Sequence, residues 1–416
     1  MNKKKITYAS LIPLIGGETL GCAKALDGQL PEYILSYSPF ATHDGQLINY
    51  LRTTKEWKGD YVHIDTNADY KPAQVDFVNS VCPCAGLSSL STTSSGDSAV
   101  NEWLYTSARY VLGSMKPTMF WGENAPRLYS PMGKKVADTL FKIGQENGYT
   151  FSIYYTESRL HGLSQKRPRT FYFFTKRDDN KVPIIPRFKR DPEPIERIFE
   201  IAIDANDPMN IVGNNTNPAD DPWIRYCMAK VGVKTLKEYY DQMVDTEPMI
   251  YQTQYLSGDF EGVADWFKAN GLEKHAGRVD HMYAKIKRKM GYWGHGTTIG
   301  KGVIPSLVAH LPTSLVDAER GRFMTIRDCL RIMKMPDDYM LYTPEGESPL
   351  RHMNKICQNV PVTTAADMAK FVADYCANPE SFETITGSYV RQNNSTGKIT
   401  IDPSASTDSG SLSDFL

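Results

Sequence analysis

The chain has 416 residues, is 41% hydrophobic and carries a formal net charge of -1. That length allows a sizeable core in about two domains, and the near-zero charge excludes nucleic-acid binding by overall basicity, so any such contact must come from local patches. Seven cysteines, an odd number spread from Cys22 to Cys376, do not read as a disulfide framework and fit a reducing cytoplasm.

The opening segment MNKKKITYASLIPLIGGETLGC has the basic start and apolar run of a signal sequence. Gly16, Gly17 and Glu18 interrupt that run, so it reads as part of the fold. No later run reaches the ~18 apolar residues of a membrane span. No membrane partner is therefore expected, and a cytoplasmic protein is.

ITYASLIPL reads as a strand, and GGETLGCAKAL as a glycine turn entering a helix. EYILSYS, DYVHID, VDFVNSV and PTMFWGE read as further strands. NEWLYTSARYVLGSM and GKKVADTLFKIGQENG read as helices among them. This alternation is that of an α/β protein with a mostly parallel sheet. YTFSIYYTE and RTFYFFTKR form a late aromatic pair, expected to be antiparallel. From KVPIIPRFKRDPEPIERIF the prolines cluster and regular alternation stops, so 190–318 reads as a second, irregular domain. Helical pattern returns in TIRDCLRIMKM and TTAADMAKFVADYC, with Thr364 and Asp367 as a capping pair. The polar stretch 386–416 is expected to be a flexible tail.

VCPCAGLSSLSTTSSG holds the sharpest signal. Cys84 falls where a strand ends, the place where ligands and reactive groups of open α/β sheets lie. A buried inert cysteine is one reading. A metal ligand is another, but His63 is the only histidine nearby, and no metal is expected. A nucleophile beneath a mobile loop accounts for both the strand end and the Ser/Thr/Gly tract that follows. A thiolate suits an electron-poor ring carbon, such as carbon 6 of cytosine. That chemistry also needs an acid near the ring nitrogen and donors for the exocyclic oxygen. Glu123 and Asn124 stand at another strand end, and Gln165, Arg167 and Arg169 alternate into a strand that puts both arginines on one face. Each motif alone reads as a solvated turn or a charged surface. Their order after a Pro-Cys loop is the stronger signal.

In that order the blocks resemble the C5-cytosine DNA methyltransferase family. VCPCAGLS resembles its Pro-Cys-Gln nucleophile loop, with Ala85 in place of Gln; GENA resembles Glu-Asn-Val; GLSQKRPR resembles Gln-x-Arg-x-Arg. RFMTIRDCLRIMKMPDDY and NKICQNVPVTTAADMAKFV resemble the two closing blocks. The resemblance implies a Rossmann-like methyltransferase sheet that uses S-adenosylmethionine and acts on a cytosine flipped out of double-stranded DNA. It divides the chain into a catalytic domain in two parts, 1–189 and 319–385, around a target-recognition domain at 190–318. Cys84 becomes the nucleophile, Glu123 steadies the ring nitrogen, Arg169 supported by Arg167 holds the base oxygen, and Asn124 and Gln165 shape the pocket. The donor side is implied to use Ile12, Gly16, Gly17, Ser38, Asp65, Pro83 and Gln358. Ser88 is implied to touch DNA, and the protein is expected to be a monomer.

The donor side departs from the family. Ser10 replaces an acid, Leu14 a glycine, Ser38 the acid expected to bind the donor ribose, and Cys357-Gln358 the usual Gly-Asn. Asp65 is left to reach the adenine amine. Three accounts stay open: the ordinary donor bound with weaker ribose recognition, an altered donor, or lost catalysis in a DNA-binding regulatory protein. An RNA substrate also stays open. Between Glu273 and Lys301, seven basic residues stand against two acidic ones. Lys285, Lys287, Arg288, Lys289 and Lys301 are the phosphate-contact candidates there, and a solvated helix is the plain alternative.

Overall fold

The computed structural model describes residues 5–88, 95–177, 179–213, 215–244, 261–287, 297–308 and 314–402. Strands β1 (Tyr8–Leu11), β2 (Tyr33–Ser36), β3 (Asp60–His63), β4 (Phe77–Ser80) and β5 (Met119–Asn124) pair parallel, in the order β5-β4-β1-β2-β3. β1, β2, β4 and β5 are buried along their whole length. That is why they read as apolar runs: helices cover both faces of a parallel sheet. The aromatic pair, β6 (Tyr149–Glu157) and β8 (Pro168–Lys176), is antiparallel as expected, with the short β7 (Gln165–Lys166) just before β8. β8 lies between β6 and β5, so the three strand ends at Ser80, Asn124 and Arg169 come together at one end of neighbouring central strands.

Helix Gly17–Ala25 packs on helix Val362–Ala377, closer than a side chain would allow: a Cβ at Gly21 would meet Ala365 Cβ at 2.5 Å. Thr364 and Asp367 do not cap the later helix, which starts behind Pro361 and contains both. Asp367 instead lies 2.7 Å from the buried His161 ring and binds both terminal nitrogens of Arg190. Both positions face inward, and tertiary partners take the groups that a cap would use.

The region after β9 (Lys181–Pro183) is more regular than its prolines suggest. Helices Pro222–Val231, Leu236–Gln242, Glu261–Ala269 and Glu273–Lys287 occupy much of its described length. Asp221 accepts from the Trp223 and Ile224 amides ahead of Pro222, and Thr235 with Glu238 forms a capping box. Pro222 starts a helix rather than breaking one. Trp223, Ile224, Phe267 and Val279 build a core of their own, shared with Ile299, Val316 and Phe323. The last three come from β10 (Thr298–Ile299), β12 (Leu315–Asp317) and β13 (Arg322–Phe323), while β11 (Ile304–Pro305) pairs back onto β7.

The flexible tail expected over 386–416 is corrected for its described part, 386–402, which enters the sheets. β14 (Thr384–Thr386) pairs with β9, β15 (Tyr389–Asn393) adds to β6, and β16 (Ile399–Ile401) adds to β15, giving the nine-stranded order β16-β15-β6-β8-β5-β4-β1-β2-β3. Tyr389 and Val390 are fully buried, so two apolar residues in a polar stretch suffice to anchor the strand. Residues 403–416 lie outside the described residues.

Candidate active site

The loop after β4 separates its two cysteines by environment. Cys82 is buried, with Sγ 3.2 Å from Ser80 Oγ and 3.5 Å from Ser107 Oγ. Cys84 is half-buried. Burial pushes the Cys84 thiol up, as does the charge of Glu123, while Arg169 and Arg167 pull it down. Those four groups therefore stand within electrostatic reach of one another.

Glu123 and Arg169 form an ion pair through Oε1 and Nε, and the carboxylate is almost wholly enclosed. β5 and β8 make the pairing, since Asn124 lies opposite Thr170, next to Arg169. Arg167 points elsewhere. It is 1% exposed, and its terminal nitrogens donate to the carbonyls of Leu307 at 2.9 Å, Cys357 at 2.8 Å and Asn359 at 2.8 Å. Burial, then the nearby Arg169 charge, pushes it down to about 9. Gln165 likewise turns to the Leu307 amide and the Met333 sulfur. Asn124 accepts from the Ala125 amide, and its buried Nδ2 has no hydrogen-bond partner among the described residues.

At the end of β1 the chain turns through Ile12 and Leu14, both left-handed with φ of 51° and 52°. Such conformations cost about 1–3 kcal/mol each for residues with a branched side chain, so something must hold them. The Ile12 amide donates to Leu35 O, and the Leu14 amide to Asp44 Oδ1 at 3.0 Å. Burial raises Asp44 to about 7, although Ser36, Leu14 and Tyr61 all donate to it. Gly16 has φ 95°, and a Cβ at Gly17 would sit 1.9 Å from Val360 O. The Gly17 amide donates to Asn359 Oδ1 at 2.8 Å. Asn359 is thus the closing-block residue that meets the glycine turn. Gln358 is exposed, and its side chain lies beside His43. The signal was an Asn one position later than expected.

Ser38 and Asp65 lie side by side, because Ser36 pairs with His63 and both strands run on in parallel. Asp65 accepts from the Ser38 amide at 3.0 and 3.1 Å and from its hydroxyl at 2.7 Å. Burial works against its charge, but the hydrogen bonds from Ser38 outweigh it and hold Asp65 below the usual carboxylate range. Beside them Tyr37, Phe40 and Trp103 form an aromatic cluster with ring centroids 4.9 to 6.5 Å apart. The sequence reading did not single out that cluster. Pro83 is half-buried between the cysteines, and Ser88 accepts from Arg127 through its carbonyl.

Of the phosphate-contact candidates, Lys301 donates to Tyr240 O at 2.7 Å and lies over that ring, so it is tied to helix Leu236–Gln242. Lys285 and Lys287 fall in the last turn of helix Glu273–Lys287, and Arg288 and Lys289 lie outside the described residues. No helix among the described residues is long and apolar enough to cross a membrane, and no cluster there has the makings of a metal site.

A family model described as C-5 cytosine-specific DNA methylase matches residues 9–373. Among solved structures, a prophage-encoded E. coli protein designated a candidate DNA modification methyltransferase matches with a TM-score of 0.52 and 14% identity, over 89% of this chain and 99% of that one. The Entamoeba histolytica methyltransferase EhMeth matches with a TM-score of 0.52 and 10% identity, over 89% and 99%. Both likenesses are of fold. No curated protein sequence matches the chain.

Proposed function

The chain belongs to the C-5 cytosine-specific DNA methylase family, and from that premise we propose that it moves a methyl group from S-adenosylmethionine to carbon 5 of a cytosine in duplex DNA, through an adduct of Cys84 at carbon 6. The observation that carries this reading is the half-buried Cys84 at a strand end, within reach of the Glu123–Arg169 ion pair.

The target base must leave the helix to reach a half-buried thiol. Cys84 gives up its proton to solvent, and its sulfur bonds to carbon 6. The ring nitrogen takes up a proton from solvent as the bond forms and Glu123 accepts a hydrogen bond from the N–H so made, so the displaced electron pair gathers on carbon 5. Arg169 holds the exocyclic oxygen, and Asn124 Nδ2 is free to donate to the base. When bound, S-adenosylmethionine supplies the methyl group that carbon 5 takes. Carbon 5 then gives its proton to solvent, the carbon 5–carbon 6 double bond re-forms, Cys84 is expelled with the pair that bound it, and the ring nitrogen returns its proton to solvent. One difficult substitution is split into two easier steps.

The donor side fits the same reading. The glycine turn is seated against Asn359 through the Gly17 amide, and the Asp65 carboxylate stands beside Ser38, which lacks one. A carboxylate at the end of such strands suits ribose hydroxyls. Ribose recognition in this reading is therefore kept rather than weakened, with the acid delivered from the neighbouring strand.

Calorimetric titration with S-adenosylmethionine tests this. Wild type should bind, and Asp65→Asn should bind about tenfold to a hundredfold more weakly, since charge-assisted hydrogen bonds contribute about 1.5–3 kcal/mol. Equal affinity in the variant would remove Asp65 from the donor site. A wild type that binds DNA but not the donor would move the protein to the altered-donor or regulatory reading.

A further inference from the structure

Glu18 is fully buried in the first turn of helix Gly17–Ala25, one residue after the glycine turn. Its Oε2 accepts from Asn79 Nδ2 at 3.2 Å. Asn79 Oδ1 accepts from Ser10 Oγ at 2.8 Å, and Ser10 Oγ accepts from Thr19 Oγ1 at 2.9 Å. Ser10 and Asn79 are register partners on β1 and β4, so this polar chain lies across the centre of the sheet. Oε1 of Glu18 is buried and makes no hydrogen bond of good geometry among the described residues, although the Ser80 amide at the end of β4 also faces the carboxyl group.

The strand register places this acid beside the reaction site. Asn79 pairs with Trp121 and Ser80 with Gly122, so Glu123 is the next residue of β5 beyond the strand end that Glu18 covers. The charges of Glu18 and Glu123 act on each other. The other titratable groups facing Glu18 are Cys22 on its own helix, Cys82 on the nucleophile loop and Tyr172 on β8. None of these brings a positive charge. Burial, with the Glu123 charge adding to it, raises Glu18 well above the usual carboxylic range against the hydrogen bond from Asn79, and so favours the neutral form of the acid. A neutral carboxyl group has one O–H to donate. Oε2 is already used as an acceptor, which leaves Oε1 to carry that hydrogen.

We propose that Glu18 is a positioning residue for the reaction: its unpartnered Oε1 meets the Glu123 carboxylate across one water and fixes the orientation in which Glu123 meets the base. The inference rests on the methyl-transfer reading above. Glu123 then has two anchors, Arg169 at its front and Glu18 behind. An ion pair alone leaves a carboxylate free to rock about its long axis, and a second donor removes that freedom before the base arrives.

The test compares Glu18→Gln and Glu18→Leu in transfer of labelled methyl from S-adenosylmethionine to unmethylated genomic DNA. Gln keeps both an acceptor for Asn79 and a donor for Glu123. Leu fills the space and keeps neither. Glu18→Leu should lose about tenfold to a hundredfold in kcat, with KM for DNA within about twofold. Glu18→Gln should keep at least about a third of wild-type kcat. The melting temperature of each variant is measured alongside. If Leu transfers at the wild-type rate, or if Gln falls as far as Leu while both stay folded, the positioning role is wrong. Should Leu fail to fold, the decision rests on Gln, whose kcat must stay near wild type. A wild type that transfers no methyl at all sinks the methyl-transfer reading instead, and the two failures are separable.

Discussion

Cys84→Ala should lose methyl transfer by at least about 10⁴-fold, because removal of a covalent nucleophile abolishes the pathway rather than weakening it. Binding of duplex DNA should survive, since the side chain is small and half-buried. Cys82→Ala is the internal control. Its sulfur is enclosed by Ser80, Ser107 and Tyr172 and has no route to a base. That variant should keep transfer within about tenfold of wild type, with a modest stability cost from the lost contacts. Steady-state transfer of labelled methyl decides between the two cysteines. If Cys82→Ala is the inactive one, the assignment of the nucleophile is reversed.

The residues proposed for the reaction stood out in the sequence because the chemistry asked for dictates their types and strand ends suggest their places. Cys84, Glu123 and Arg169 could be read from three separate motifs, and the sheet order β8-β5-β4 brings those motifs to the same end of adjacent strands. Arg167 and Gln165 were read into the same pocket because alternation puts them on a shared face. Alternation says nothing about how far a long side chain reaches, and both turn to Leu307 and the closing block instead. Glu18 could not be read at all. An acid in the first turn of a helix usually faces solvent and complements the helix dipole, and only the packing of that turn over Asn79 shows this one to be buried. Asp65 was legible as an acid at a strand end, but its partner was not, because pairing of β2 with β3 is a fact of register. The C-terminal strands were missed for a similar reason: a short strand added to an existing sheet needs few apolar residues of its own.

Arg167→Ala should be the most destabilising single change at the site. Three backbone carbonyls, of Leu307, Cys357 and Asn359, lose their donor in a fully buried setting. Each unsatisfied group costs about 1–3 kcal/mol, and the cavity adds to that. A loss on the order of 4 kcal/mol or more is expected from these terms, read as a shift in the denaturant midpoint at constant slope. The effect also reaches the donor side, because Asn359 holds the Gly17 amide through its side chain. Arg167→Lys keeps a charge but cannot fork to three carbonyls, so it should recover only part of the loss. An unfolding midpoint for Arg167→Ala equal to that of wild type would show that the three carbonyls find other partners and that the brace is not one.

The central claim is a bond between Cys84 and the ring of a target cytosine. DNA carrying 5-fluorocytosine tests it most directly, because fluorine at carbon 5 cannot leave as a proton does and the adduct cannot collapse. Wild type, incubated with that DNA and S-adenosylmethionine, should form a complex that survives denaturation, and peptide mass analysis should place the nucleotide on Cys84. The Cys84→Ala protein should form none. A stable complex carried by Cys82, or none from a wild type that still binds the donor and DNA, would contradict the account.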